Sequence, residues 1–292
     1  MIYETDEIKA LVKEGKLPQI TEENYHSKEC DKAYMSFHTW AAFHGTLGVP
    51  ACEARAVAEL NGEFEEDTSD AFILGGYVDA TLVGGEGELE QYKKDHPELF
   101  LKTGKNKGEL QKKYAIADVM IERCKKDQLF MDALSGEHQA ILVCMICGVP
   151  FKCKIDSLVR GKAIVDLKTT REMHKQFYIP DFGHVDFISY YGYVYQLAWY
   201  REAVKILFGE TLPCFIAPVS TSEYPEIKLV HIDDLSLYDA WTTIKNSLEN
   251  GSLVEVWRGE IEPIRCNNPD CHYCMSTEVL KEPINYKELI MM

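Results

Sequence analysis

Two aspartates and a lysine stand in neighbouring apolar segments, where they could act together. Asp156 ends the segment FKCKID, and Asp166 and Lys168 are two residues apart in IVDLKTT. Side chains two residues apart on a strand project from the same face, so this spacing places a carboxylate beside an ammonium group. A tight turn between the segments would form a hairpin in which the two aspartates approach each other.

Two neighbouring carboxylates repel each other, and a cation between them relieves that repulsion. Their oxygen atoms favour a hard divalent ion such as Mg²⁺, and the backbone carbonyl of Leu167 could supply a further oxygen ligand. Lys168 would then position an attacking water or stabilise negative charge developing on a phosphate. A surface cluster of ion pairs at a strand end is the alternative interpretation, and the spacing alone does not exclude it.

A second pair of polar residues lies downstream, in a segment with helical spacing. Gln196 and Tyr200 are four residues apart in YGYVYQLAWYREA, so they share one face of the predicted helix. From that face both side chains could reach a site at the strand ends. Amphipathic packing explains these two residues equally well when they are considered alone.

The surrounding sequence predicts an α/β protein whose strands carry the aspartates. After Gly136 the apolar period changes to two, and residues 138–170 predict three strands in an antiparallel meander with turns at CGVP and VRGK. Segments with apolar residues at helical spacing precede the meander. After the meander, one long helix is predicted at 185–209, and two further strands follow that helix.

The chain length and composition favour one domain with a substantial core. It has 292 residues, of which 46% are hydrophobic. A short helix is predicted at 4–15, and a polar connection at 20–36. The predicted parts of the domain are an N-terminal extension at 1–32, a helical part at 33–135, the catalytic core sheet and helix at 136–235, and a C-terminal helix with a cysteine-bearing tail at 236–292.

The charge balance restricts how the protein could contact other molecules. The 31 basic and 47 acidic residues give a net charge of −16, which argues against a broad electrostatic grip on nucleic acid. Any such contact must therefore be local or assisted by a metal ion. The sequence has no apolar run of roughly 18 residues and a charged amino end, so we expect no membrane association and a cytoplasmic location.

The polar residues occur in a pattern that resembles a known family. Asp156 followed by Asp166-Leu167-Lys168 resembles the D…(D/E)xK signature of the PD-(D/E)XK nuclease superfamily, and the segment from Gln196 to Tyr200 is similar to the QxxxY motif of its RecB-like branch. With these flanks, roughly residues 33 to 275 resemble the nuclease domain of RecE, also called exonuclease VIII, and related phage exonucleases. The resemblance implies a restriction-endonuclease-like core, which is a central mixed sheet flanked by helices with a helical N-terminal elaboration.

The resemblance also implies a third metal ligand on an upstream helix. Relatives carry a metal-binding histidine after a segment of small residues, and ILGGYVDATLV occupies that place with Asp79 in the position of the histidine. An aspartate is a better oxygen ligand for Mg²⁺, so we expect Asp79 to retain the metal contact; a helix carboxylate bonded to a loop is the alternative. Glu137 could contact substrate or a second ion, or simply belong to a turn.

By this resemblance the protein is a nuclease that uses Mg²⁺ or Mn²⁺. The implied activity is 5′-to-3′ exonucleolytic hydrolysis of linear double-stranded DNA in phage-type recombination, with a single-strand annealing protein as partner and a homo-oligomeric assembly. The alternatives are a single-strand or structure-specific nuclease and a non-catalytic DNA-binding module with a decayed metal site. The candidates for a local basic lining are Lys102, Lys105, Lys107, Lys112 and Lys113.

The carboxyl end carries a separate candidate metal site. Cys266, Cys271 and Cys274 lie within nine positions in RCNNPDCHYC. Three thiolates are one fewer than the four that zinc or a cubane iron-sulfur cluster usually binds. A fourth ligand from elsewhere in the chain is therefore needed for either group.

The tail resembles that of the AddB nuclease domain, in which one upstream cysteine and three near the carboxyl end hold an iron-sulfur cluster. That resemblance implies Cys52 as the fourth ligand, with Cys30 as the alternative. The possible occupants are a [4Fe-4S] cluster, Zn²⁺ with His272 also available as a ligand, or no metal.

Overall fold

The computed structural model of the chain shows one mixed β-sheet with helices on both faces. It describes residues 1–66, 68–85, 87–266, 268–279, 282–283 and 285. The strands are β1 Ile2–Glu4, β2 Glu137–Ile146, β3 Val149–Val159, β4 Ala163–Thr170, β5 Phe177–Ile179, β6 Gly183–Val185, β7 Cys214–Ser220 and β8 Val230–Ile232. The helices before β2 are α1 Asp6–Lys13, α2 Lys28–Ala33, α3 Phe37–His44, α4 Glu53–Asn61, α5 Asp70–Leu82, α6 Glu88–Asp95, α7 Ile116–Lys125 and α8 Gln128–Ala133, with a 3-10 turn at Pro97–Leu99. The later helices are α9 Phe187–Tyr190, α10 Tyr193–Phe208, α11 Asp234–Glu249, α12 Leu253–Trp257 and α13 His272–Ser276.

The six-stranded sheet has the order β1-β2-β3-β4-β7-β8. The predicted antiparallel meander is confirmed as β2, β3 and β4, and β4 then pairs in parallel with β7. The β2–β3 turn contains Cys147 and Gly148, whose φ angles of 50° and 74° are those of a two-residue hairpin turn that follows the strand twist. β5 and β6 form a separate two-stranded hairpin outside this sheet.

The two faces of the sheet bury two different sets of helices. One core joins β2 and β3 to α3, α10 and α11, and in it Phe151 stacks on Trp199 with ring centroids 4.3 Å apart. The other core contains Val165 and Leu167 of β4 packed with α5 and α7. Because successive residues of a strand face opposite ways, β4 is covered on both sides. The α/β fold class expected from the sequence is confirmed.

The structure differs from the sequence expectations at three places. The long helix predicted at 185–209 is two helices, α9 and α10, separated at Gly192, which has a φ of 73° and no room for a side chain beside Thr46. The predicted polar connection at 20–36 contains α2. The helix predicted from residue 4 begins at Asp6 instead, because residues 2–4 pair with β2 as an edge strand.

No helix among the described residues is long and apolar enough to cross a membrane. The end of the predicted tail, residues 286–292, lies outside the described part of the chain.

A buried lysine ties the amino-terminal segment to the sheet. Lys152 of β3 is 1% exposed, and its ammonium group donates to the Tyr25 carbonyl and lies 2.8 Å from the Asp31 carboxylate. It also lies 4.7 Å from the centroid of the Tyr25 ring. A charge removed from water in this way is stable only while its partners remain.

We therefore expect Asp31→Ala to lower the free energy of unfolding by ~3 kcal/mol, because it leaves the Lys152 charge buried without its counter-ion. Lys152→Met removes the charge itself and should cost less than half as much. Urea unfolding followed by tryptophan fluorescence measures both. Equal losses in the two variants would contradict this interpretation of the contact.

Candidate active site

The aspartates of the sequence motif lie where β3 and β4 separate. These strands pair at three positions next to their turn, and the last pair is Ser157 with Val165. Beyond that pair, away from the turn, the next residue of β3 is Asp156 and the next residue of β4 is Asp166. The backbone N–H of Leu167 donates to Asp156 Oδ2 at 2.8 Å, so the carboxylate accepts a hydrogen bond where the strand ladder has ended. The sheet therefore opens at this point and holds both carboxylates in the opening.

Asp166 and Lys168 form a buried ion pair. Lys168 Nζ lies 2.5 Å from Asp166 Oδ2, and Asp166 is only 1% exposed. Asp166 Oδ1 has no hydrogen-bond partner within the described part of the chain. Because Asp166 is buried, a cluster of surface ion pairs does not describe this site. An acceptor atom left without a partner inside a protein instead indicates a place for a further ligand.

The charges of this group shift one another's pKa values. Burial raises the pKa of Asp166, although the neighbouring Lys168 opposes the shift. Burial and the charges of Asp79 and Asp166 raise the pKa of Asp156 well above its usual range. Burial alone would lower the pKa of Lys168, but Asp166 and Asp156 outweigh it and hold that pKa above its ordinary value. The lysine is therefore charged at neutral pH.

Asp79 reaches the same site from α5. This helix packs closely on β4 at Gly75, where a Cβ atom would lie 2.8 Å from Thr169 Oγ1. Burial raises the pKa of Asp79 to about 7, Lys168 opposes this, and the charges of Glu88 and Asp166 add to it. Asp79, which the sequence resemblance aligned with a histidine of RecE-like relatives, thus lies within electrostatic reach of the motif residues.

Gln139 holds Asp79 and was not found from the sequence. Its Nε2 donates to Asp79 Oδ2 at 3.0 Å, and the residue is 9% exposed. It lies on β2 between two residues that pair with β3, and its φ of 50° is unusual for a residue other than glycine. Backbone strain of this kind concentrates at functional sites. The available signal was a polar residue inside the apolar run HQAILV.

Gln196 and Tyr200 lie on the buried face of α10, beneath the carboxylates. Gln196 Nε2 donates to the Tyr200 hydroxyl at 2.6 Å, and Gln196 Oε1 has no partner among the described residues. Burial and the charges of Asp166 and Asp156 raise the pKa of Tyr200 well above its usual range. The pair therefore lies close to the motif, as its spacing predicted, while a direct catalytic part for either residue stays a prediction.

Glu137 and the group of five lysines are the remaining candidates. Glu137 accepts a hydrogen bond from the Tyr3 hydroxyl at 2.7 Å, at the strand end opposite Leu158. Its contact with substrate or a second ion stays a prediction. The five candidate lysines are exposed in the connection before α7, and Lys113 pairs with Asp70 at 2.6 Å. Their contact with phosphate is likewise untested.

The three aspartates suit a hard divalent ion for two reasons, which are the type of their ligand atoms and an acceptor oxygen that lacks a hydrogen bond. Asp79, Asp156 and Asp166 offer carboxylate oxygens, and one buried oxygen of Asp166 lacks a partner among the residues that the structure describes. Within the described residues their ligand atoms do not all come within 4.8 Å of one another, whereas those of a cysteine group do. Each aspartate is held by a different protein group: Asp79 by Gln139, Asp156 by the Leu167 N–H and Asp166 by Lys168.

Four cysteines form a second, separate group. The Sγ atoms of Cys52, Cys266, Cys271 and Cys274 all lie within 4.8 Å of one another. Those of Cys52 and Cys274 are 3.6 Å apart, and those of Cys266 and Cys274 are 3.8 Å apart. The fourth position expected from the sequence is therefore held by Cys52.

The two alternative ligands expected from the sequence, Cys30 and His272, lie outside this group of cysteines. Cys30 is buried in a different hydrophobic cluster with Ile8 and Tyr34. The His272 ring points to Glu66, with Nδ1 4.0 Å from a carboxylate oxygen, and its side chain is 75% exposed.

The four thiols differ in acidity. Burial would raise the pKa of Cys52, but hydrogen bonds from the backbone of Cys266 and Arg55 lower it to about 7. Burial and the neighbouring thiols raise the pKa of Cys274 to about 12. Closely packed sulfur atoms resist losing further protons unless a cation compensates the charge, so the group favours a thiolate-binding metal.

Comparison with known proteins identifies the class of this fold and site. A family model described as a "PDDEXK-like domain of unknown function (DUF3799)" matches residues 36–277. The chain therefore belongs to this family of PDDEXK-like domains. No curated protein gives a significant match.

A crystal structure from Eubacterium rectale, described as a "putative exonuclease", is similar to this chain. The two are 38% identical with a TM-score of 0.85, and the match covers 93% of this chain and 98% of the other. The family and this neighbour support a nuclease of the PD-(D/E)XK superfamily. Membership of the RecE-like branch stays a prediction.

The raised pKa of Asp79 gives a prediction for the metal-free protein. The folded state binds more protons than the unfolded state between pH ~4 and about 7, so this group's contribution to stability is lost as the pH rises through that window. Asp79→Asn should therefore raise the free energy of unfolding by ~1–2 kcal/mol at pH 8, discounted for partial solvent access, and by little at pH 4.5.

Urea unfolding at both pH values, with chelator present, measures this difference. Asp239→Asn on the exposed side of α11 is the matched control and should change nothing. A variant less stable than the natural protein at pH 8 would show that Asp79 is ionised and well paired without metal.

Proposed function

We propose that the protein is a metal-dependent exodeoxyribonuclease that hydrolyses phosphodiester bonds in linear double-stranded DNA. The observation that carries this proposal is the buried Asp166–Lys168 pair at the opening of β3 and β4, with one Asp166 oxygen left without a partner among the described residues. A structural ion pair would satisfy both oxygens, because an unpaired buried acceptor costs stability. The family and the Eubacterium rectale neighbour support hydrolysis as the class of reaction.

Asp79, Asp156 and Asp166 would hold Mg²⁺ or Mn²⁺. A bound divalent ion supplies Lewis-acid activation of water and neutralises charge on the phosphate. Lys168 is held charged by its aspartate neighbours, so it can donate hydrogen bonds to the attacking water or to a phosphate oxygen as negative charge develops.

The remaining protein contacts fix the positions of these groups. The Leu167 N–H orients Asp156, and Gln139 orients Asp79. Gln196 and Tyr200 close the site from the α10 side, and the amide oxygen of Gln196 has no donor within the described part of the chain. Such supports matter because a displaced catalytic group loses much of its effect.

The finer parts of the proposal depend on the resemblance to RecE-like enzymes. These are 5′-to-3′ polarity, a place in phage-type recombination, a single-strand annealing partner and a homo-oligomeric form. Action in the cytoplasm is proposed from the pattern of the sequence instead of from this resemblance. A single-strand or structure-specific nuclease would use the same site residues. A non-catalytic DNA-binding module is less well supported, because Lys168 and all three aspartates are present together at the site.

We expect Asp166→Ala and Lys168→Ala each to lower turnover of linear duplex DNA by at least ~100-fold, because the first removes a ligand of the divalent ion and the second removes positive charge from beside the reacting phosphate. The assay uses duplex DNA labelled at one 5′ end, beside a closed circle, with Mg²⁺ or Mn²⁺. Asp239→Asn is the matched control and should retain full activity.

Consumption of the linear DNA from its 5′ ends, with survival of the circle, supports the exonuclease. Cleavage of the circle, or of single strands alone, supports the alternative nuclease. Absence of cleavage on every substrate with either metal overturns the catalytic proposal.

For the cysteine group we propose a single zinc ion that attaches the tail to α4. Two thiolates 2.3 Å from one tetrahedral ion lie about 3.8 Å apart, close to the observed 3.6 and 3.8 Å. Thiolates on a cubane cluster stand farther apart, because each binds a different iron. Backbone bonds already link the tail to the same helix, since the Ala54 N–H donates to the Ile264 carbonyl at 3.2 Å.

We expect purified protein to contain about one zinc per chain and no visible absorption band. Cys274→Ser should lose the metal and lower the melting temperature, while Cys147→Ser, at an exposed cysteine, should do neither. Elemental analysis and thermal unfolding measure these quantities. About four irons per chain with a brown colour would establish an iron-sulfur cluster, and absence of metal would overturn both assignments.

A further inference from the structure

The lysine of the candidate active site is in contact with a tyrosine ring from the first turn of α10. Lys168 Nζ lies 4.9 Å from the centroid of the Tyr193 ring, which is within the distance at which an aromatic face attracts an ammonium group. The same nitrogen lies 2.5 Å from Asp166 Oδ2. The ammonium group therefore has two contacts of different kinds, one with a carboxylate and one with a ring.

The Tyr193 ring is itself held in place by its neighbours. It stacks with Tyr191, with ring centroids 5.8 Å apart and an angle of 28° between the rings, and it makes an edge contact with Phe187 at 6.4 Å. Its backbone position is set by Gly192, which caps α10 with a φ of 73° and has no room for a side chain beside Thr46. The ring is therefore fixed against the lysine by packing and by the start of the helix.

An aromatic ring stabilises a lysine without occupying its hydrogen-bond donors. An ammonium group has three N–H donors, and among the residues that the structure describes Asp166 is the one ion-pair partner of Lys168. A second carboxylate in the place of the ring would accept another of these N–H groups. The face of a ring attracts the positive charge without accepting a strong, directed hydrogen bond. The remaining N–H groups of Lys168 are therefore able to donate to a water or to a phosphate oxygen.

The lysine side chain needs such a restraint because its stem is long and flexible. The ammonium group is a compact charge at the end of four carbon atoms, and one ion pair fixes its distance from Asp166 without fixing the direction of the stem. A second contact, with the Tyr193 ring, restricts that direction and covers one side of the ammonium group. The Lys168 side chain is accordingly only 19% exposed. Such alignment matters because a displaced catalytic group loses much of its effect.

We infer that Tyr193 is a positioning residue, whose ring holds the Lys168 ammonium group at Asp166 with its remaining donors directed to the reacting phosphate. This inference rests on the proposed function and deepens it, because it assigns the residue that keeps the lysine in place. Tyr193 acts through Lys168 and makes no bond with the substrate in this role. The face of the ring carries the effect and the hydroxyl group does not, so phenylalanine is expected to substitute for tyrosine.

The first test is steady-state cleavage of end-labelled linear duplex DNA. Tyr193→Leu removes the ring and should lower kcat about 10-fold to 30-fold, with KM changed by less than about twofold, because the lysine acts on charge that develops in the transition state. Tyr193→Phe keeps the ring face and should retain at least about a third of the natural kcat. Tyr195→Leu is the matched control, since it removes from the same helix a ring that contacts Trp40 at 5.2 Å, and it should leave kcat unchanged.

The same assay gives three results that would overturn the inference. Equal losses of kcat in Tyr193→Leu and Tyr193→Phe would show that the hydroxyl group carries the effect. A raised KM with the natural kcat in Tyr193→Leu would show that the ring contacts the substrate directly. A loss in Tyr195→Leu as large as that in Tyr193→Leu would show that both changes disturb the packing of α10 in general.

The second test follows the lysine without DNA, and so separates this inference from the proposed function. Metal-free protein is treated with a limiting amount of acetic anhydride, and mass spectrometry measures acetylation of Lys168 relative to the exposed Lys245. Tyr193→Leu should raise this ratio at least about threefold, because the ammonium group is no longer held and covered, while Tyr193→Phe and Tyr195→Leu should not. An unchanged ratio in Tyr193→Leu would overturn the inference. Failure of the natural protein to cleave any DNA would overturn the proposed function, while the labelling would still decide whether the ring holds the lysine.

Discussion

The burial of one charged pair, Asp166 with Lys168, constrains the rest of this structure. Removing two charges from water costs several kcal/mol for each ion, and their attraction offsets this only with good geometry and further hydrogen bonds. Here the nitrogen-to-oxygen distance is 2.5 Å, while the second carboxylate oxygen has no partner within the described residues. The pair is therefore incompletely satisfied by the protein, and this is expected of a site built to receive a ligand rather than to add stability.

The sheet topology makes this burial possible. β4 pairs with β7 along its length, through Asp166 and Lys168, but pairs with β3 only near their common turn. Strand separation exposes backbone groups, and the Leu167 N–H is satisfied by the Asp156 side chain. Where the strands separate, the Leu167 N–H needs an acceptor, and the Asp156 carboxylate supplies it. The same separation thus brings the carboxylates of Asp156 and Asp166 together. Helices on both faces then exclude most of the water, which raises the pKa values of the aspartates.

Polar and sulfur contacts hold the outer segments of the chain to this centre. Lys152 ties the amino-terminal segment to β3 through Asp31, and the four cysteines join the tail to α4. Both contacts link residues far apart in sequence. They fix the amino-terminal segment to the sheet and the tail to α4.

The sequence by itself determined the motif strands and the two turns of the meander, and it indicated the aspartates and the lysine that the structure brings together. Period-two patterning and turn chemistry are local properties, so β2, β3 and β4 and the shared face of Asp166 and Lys168 were predictable. The superfamily was indicated by the resemblance of these residues to its signature and is confirmed by the family match.

Only the tertiary structure decided which distant residues meet. Gln139 supports Asp79 through an unusual backbone conformation, and Tyr193 lies over Lys168 because α10 begins at a left-handed glycine. The choice of Cys52 over Cys30 likewise depends on how α4 packs against the tail. These contacts depend on long-range packing, which local spacing does not encode, because the free energy that selects them comes from burial across the whole domain.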